Sequence, residues 1–136
     1  MKYEKYDQIV GQVQARGRLP SREAAVTALR AVLGTLATRI RHEDAHHVAS
    51  QLPREIGIFL EQSDGGIERF DVHEWIKRVG QVEGEDLPAA TYHTRVVMEV
   101  IRESISPGAL GRLRDALPAE YHPLLEGSSR GQLHLP

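Results

Sequence analysis

A chain of 136 residues in which 40% of side chains are apolar but only 5% aromatic must build an aliphatic core, and this favours helices over a sheet. Its formal charge of −2 divides into about +1 over the first 65 residues and −3 over the rest, so neither half is a basic footprint for nucleic acid; the absence of cysteine excludes disulfides, thiol catalysis and thiolate metal sites together. The charged start Met-Lys-Tyr-Glu is no secretory leader and no apolar run approaches the roughly 20 residues of a membrane span, so a soluble cytoplasmic protein is expected.

Tyr6, Ile9, Val10 and Val13 place an apolar stripe on a first helix that should stop near Gly17. Ser21 then suits the N-cap of a long helix running to about Arg39, with Ala25, Leu29, Val32, Leu33, Leu36 and Ile40 on its buried face. A third helix opens around His42 to Asp44 and buries Ala45, Val48, Ala49 and Leu52. Pro53 closes it and starts a short fourth helix, because proline cannot continue a helix but needs no N–H at the first position of the next. The cluster Ser63-Asp64-Gly65-Gly66 reads as a turn and a boundary. Beyond it, Asp71-Val72-His73-Glu74 is a capping-box pattern ahead of Trp75, Ile76 and Val79. After the acidic loop Gly84 to Asp86, Pro88 suits the first turn of a second long helix carrying Val96, Val97, Val100 and Ile101 as far as Ser104. Ser106-Pro107 caps and starts another short helix, and Pro118 takes the role of Pro53. The tail from Gly127 has the composition of a frayed end.

These elements repeat. Leu52-Pro53-Arg54-Glu55 returns 65 positions later as Leu117-Pro118-Ala119-Glu120, and Arg30-Ala31-Val32-Leu33 returns as Arg95-Val96-Val97-Met98 at the same offset. The expected architecture is all-α: a tandem duplication of a four-helix unit, about eight helices, packed as one pseudo-symmetric domain. Residues 1–64 form the first repeat, 65–126 the second and 127–136 a tail. A unit of about 65 residues is marginal alone, so the two repeats should share a core. Two copies of a long helix with Arg-x-Val-[Leu/Met], each followed by a short helix and Leu-Pro-x-Glu, resemble the bacterial family known as domain of unknown function 2267 over residues 3 to 126. The resemblance implies an all-helical bacterial domain for which no catalytic residue or ligand is established.

Two groups of residues invite a chemical reading. Arg30 with Glu55 and Arg95 with Glu120 are the oppositely charged positions kept in both copies, and they are expected to form structural ion pairs; an anion clamp between the two arginines is the functional alternative. His42, His46 and His47 form the densest titratable cluster, with His42 and His46 at i and i+4, but two ligands per face fall short of a structural metal site. His73, His93 and His122 stand singly, without a motif-like nucleophile or carboxylate beside them. No catalytic residue and no cofactor is expected. The pattern suits a non-enzymatic interaction or regulatory module that meets a protein partner or a second copy of itself. The alternative is a small-ligand or metal-binding protein using Arg30 and Arg95 or the histidine cluster. Nucleic acid would be favoured only by a gathering of Arg16, Arg18, Arg22, Arg39 and Arg41 on one face.

Overall fold

The computed structural model describes residues 2–62 and 66–127, with side chains from Lys5 onward. All regular structure among them is helical: α1 Lys2–Arg16, α2 Arg22–Arg39, α3 His42–Ala49, α4 Arg54–Gly57, α5 Val72–Glu83, α6 Leu87–Ser104, α7 Pro107–Ala116 and α8 His122–Glu126, with 3-10 turns at Ile58–Leu60 and Ala119–Tyr121. The all-α class with eight helices is as the sequence leads one to expect. The turn at Ser63-Asp64-Gly65 and the tail after Gly127 lie outside the described residues. None of the described helices is long and apolar enough to cross a membrane.

Helix starts follow local chemistry. The Ser21 hydroxyl accepts from Ala24 N at 3.0 Å, Asp71 from Glu74 N at 2.9 Å, Asp86 from Ala89 N at 3.0 Å and Ser106 from Ala109 N at 3.1 Å, each satisfying one orphan donor of a first turn. The reciprocal half of the capping box at Asp71 is replaced by another contact, since Glu74 accepts instead from Arg78 one turn on. Both long helices end on isoleucine in the same extended conformation, Ile40 at φ −122° and Ile105 at φ −121°.

The Leu-Pro turns are alike in sequence yet differ in hydrogen bonding. After Pro53 the Ile58 N–H reaches Arg54 O and completes an α-turn; the position 65 residues on is Pro123, which has no N–H to give. The chain after Pro118 therefore winds first as a 3-10 turn, with His122 N–H bonding Ala119 O, and becomes α-helical only at His122.

The ends of α1 and α5 are also alike. Leu19 N donates to Gln14 O at 3.0 Å and Glu85 N to Gly80 O at 2.9 Å, closing the same six-residue turn through a left-handed residue. That residue is Gly84 at φ 72° after α5, but after α1 it is Arg18 at φ 52°, one position beyond the glycine that the sequence offers as the stop. An L side chain in this region costs about 1–2 kcal/mol. Arg18→Gly is accordingly expected to raise stability by about 0.5–1 kcal/mol and Gly84→Ala to lower it by about 1 kcal/mol, readable as opposite shifts of the urea midpoint.

In the core, α2 packs on α1, α5 and α6, and α6 packs on α1, α2, α5 and α8. The two long helices thus touch each other while α1 and α5 each bridge both. A cluster of buried apolar side chains runs through all four, with Val10 and Val13 from α1, Leu29, Leu33 and Leu36 from α2, Trp75 and Val79 from α5, and Val97 and Ile101 from α6. Outside this layer α3 lies against α7 and α4 against α3. Because α6 is covered on so many sides, every residue from His93 to Ile101 is buried, including Thr94, Arg95 and Glu99. A helix sheltered all round must bury whatever polar residues it carries.

Candidate functional site

The turn between α3 and α4 shapes the first surface cleft, about 540 Å³ in volume. Proline at 53 ends α3 and redirects the chain, and Gly57 lets α4 settle closely, since a Cβ there would stand 2.9 Å from the Ala49 carbonyl oxygen. The walls are Ala49, Leu52, Pro53 and Gly57 with Ile58, which is 48% exposed. Polar groups stand around them: Lys5 donates to Gln51 O at 3.1 Å, and His46 Nδ1 bonds the Glu61 carboxylate. Gln51 in turn ties this turn to the start of α7, accepting from Ser106 N at 2.7 Å and donating to Ser106 Oγ at 3.2 Å.

The histidine cluster borders this cleft. His42 and His46 stack with ring centroids 6.5 Å apart, and both are exposed; His47 is half-buried. Among the described residues no group of three or more His, Asp or Glu side chains converges as a metal-binding set.

Arg30 and Glu55 both lie exposed, whereas Arg95 is buried on α6, where Gly127 is so near that a Cβ on it would stand 2.9 Å from Arg95 Nη1. Glu120 is exposed and its carboxylate accepts from Val72 N at 2.9 Å. Among the described contacts Arg30 is not joined to Glu55, nor Arg95 to Glu120. The same two sequence positions meet different surroundings, because α6 is sheltered where α2 leaves Arg30 open.

The ion pairs that do link distant elements involve residues whose partners are far away in sequence. Arg16 on α1 bonds Glu99 Oε1 at 2.7 Å and both oxygens of Glu103, and the Tyr92 hydroxyl donates to Arg16 O. Asp44, buried on α3, accepts from Arg112 Nε on α7 at 2.8 Å and from Arg41 Nε at 3.4 Å. Burial pushes the Asp44 carboxyl up, but the hydrogen bonds and charges of Arg112 and Arg41 outweigh it and hold the group below its ordinary range.

His93, one of the scattered single histidines, lies buried with its Nδ1 2.8 Å from Glu83 Oε2, and joins α6 to the end of α5. The bond to Glu83 is the largest influence and raises the imidazole above 6.5; burial opposes it, and the charges of Glu83 and Glu85 add to the rise. A raised folded-state value means that the stabilisation is fully present below the unfolded value and is lost as pH climbs through the folded one. Wild-type stability is therefore expected to fall from about pH 6.5 upward, and His93→Gln to flatten that fall in urea titrations run across the window.

The family model described as an uncharacterized conserved protein (DUF2267) matches residues 6–124 of the chain. No curated protein matches it.

Proposed function

For a chain that belongs to the DUF2267 family of uncharacterized conserved proteins, we propose a non-enzymatic interaction or regulatory role, carried out by a protein partner docking at the cleft between α3 and α4. The observation that carries this reading is the half-exposed Ile58 among Ala49, Leu52 and Pro53, an apolar floor with Lys5, Arg54 and the His46–Glu61 pair around it. An apolar centre within a polar rim is the anatomy of a protein contact. The inter-helix charges support the same reading, since Arg16, Asp44 and His93 are each engaged in fastening one helix to another. We read residues 1–64 and 65–126 as two repeats of one domain in a bacterial cytoplasmic setting. Nucleic acid is disfavoured: Arg16 and Arg22 are paired with acids near the start of α2, while Arg39 and Arg41 lie about 27 Å away at its other end.

Affinity purification from the native host tests the proposal when wild type is compared with Ile58→Asp. The expected result is a partner captured stoichiometrically by wild type and lost by the variant, whose circular dichroism is unchanged. Equal capture by both, or no stoichiometric partner, would contradict the reading.

The small-ligand or metal alternative has one observation in its favour. Glu61 holds His46 by Nδ1, as carboxylates around metal sites hold metal-bound histidines by the nitrogen away from the metal. Zinc titration decides this, with tight one-to-one binding abolished by His46→Ala as the result that would make it the leading reading. Arg30 and Arg95 are the weaker half of that alternative, since neither lines the clefts described.

A further inference from the structure

We infer a second binding site, for a phosphate-bearing small molecule, in the arginine-lined cleft where α3 meets α7. The last turn of α2, the start of α3, the stretch before Asp71 and α7 border two adjoining open clefts of about 450 and 610 Å³ that share Arg41, Asp44, Asp115 and Ala116. Each lies within the range of small-molecule pockets. Arg39 and Arg69 line the first space and Arg112 the second. Among the lining side chains four guanidinium groups stand against the carboxylates of Asp44 and Asp115, an excess of two positive charges, with Asp71 and Glu120 near Tyr121 beyond them.

Arg39 is the most telling of these. It is only 8% exposed, its Nε donates to Phe70 O at 3.3 Å, and its guanidinium lies 5.3 Å from the Tyr121 ring and 5.9 Å from that of Phe70. Among the described residues no carboxylate stands within ion-pair distance of it or of the exposed Arg69. Buried cations are ordinarily matched by an anion. Here the matching charge would come from a ligand, and a guanidinium already fixed by two rings and a carbonyl loses little freedom in meeting it.

The charge excess and the planar donor forks suit a dianionic phosphate, which Arg recognises bidentately. Asp44 is already bonded to Arg41 and Arg112, whereas Asp115 is exposed at the junction of the two spaces and is placed to accept from hydroxyl groups next to the phosphate. Ile67, Leu117 and Pro118 add an apolar wall. A phosphorylated sugar or nucleoside combines these features. An acidic peptide fits less well, because glutamate and aspartate side chains bring no hydroxyl for Asp115 to accept from.

Calorimetric titration of the whole protein with pyrophosphate at low salt, in wild type, Arg69→Ala, Arg41→Ala and Arg22→Ala, tests the site. Arg22 pairs with Asp7 at the far end of α2, so its variant removes the same charge without touching the cleft. The expected result is one saturable site weakened at least about tenfold by Arg69→Ala and by Arg41→Ala and altered less than about twofold by Arg22→Ala. Arg69 is exposed, so the fold should tolerate its loss. Absence of saturable binding, equal weakening by Arg22→Ala, or insensitivity to Arg69→Ala would overturn the assignment, as would an oligoglutamate peptide that displaces pyrophosphate at lower concentration than a sugar phosphate does.

Discussion

Trp75→Ala is expected to cost about 3–5 kcal/mol of folding stability, the largest single loss in the molecule. The indole is 2% exposed in α5, and its ring centroid lies 5.5 Å from that of Tyr121 at a tilt of 60°, an aromatic contact that adds to simple burial. Tyr121 is itself buried, and its hydroxyl donates to Phe70 O, so the cavity left by alanine would also loosen the chain before Asp71. Trp75→Phe should behave quite differently. No acceptor among the described residues lies within reach of Trp75 Nε1, and a buried N–H left without one costs about 1–3 kcal/mol; phenylalanine deletes that group while keeping most of the ring. The phenylalanine variant is therefore expected within about 1 kcal/mol of wild type. Urea denaturation followed at 222 nm checks both, and equal losses for the two variants would show that ring volume is not what matters there.

The second large effect is expected at the contact between α1 and α6. Arg16→Ala takes away the 2.7 Å charge-assisted bond to Glu99, whose side chain is 6% exposed, and both bonds to Glu103. Arg102 approaches Glu99 at 4.0 Å along the same helix. A loss of about 2–3 kcal/mol is expected, most of it the penalty of a buried carboxylate less well compensated. Glu99→Gln in the Arg16→Ala background should recover part of this, giving a coupling of about 1–2 kcal/mol in a double-mutant cycle. Strict additivity would mean that Arg16 acts through packing alone.

Helix placement was legible in the sequence because its signals are local. Ser21, Asp71 and Ser106 cap the helices they stand before, and each apolar stripe read at helical spacing, from Ile9 to Val13, Leu29 to Leu36 and Val96 to Ile101, is buried. Where chemistry depended on one atom rather than on a pattern, the expectation was coarser. Pro123 alters the second Leu-Pro turn through a missing N–H, and Arg18 takes a left-handed conformation that the neighbouring glycine suggested for itself. Charged partners were not legible. The recurrence of Arg and Glu at a 65-residue offset drew attention to Arg30, Glu55, Arg95 and Glu120, yet such a recurrence says nothing of what other helices bring to each position. Arg16 with Glu99, Asp44 with Arg112 and His93 with Glu83 are set by helix packing, as is the gathering of Arg39, Arg41, Arg69 and Arg112 around one cleft. Asp44 of α3 recurs as Ala109 in α7, which gives no hint that the two helices would meet through that carboxylate.

Residues 1–64 and 65–126 are expected to stand only together, since α2 is covered by α5 and α6 as much as by α1. Expressing residues 1–64 and 66–136 as separate chains tests it most directly. Each alone is expected to lack a cooperative thermal transition, because a unit of that size leaves roughly 40% of its unfolded surface exposed and would here open the faces of α2 or α6 to water; mixing the two should restore helicity and a single transition. Two halves that are each monomeric and melt cooperatively would contradict it.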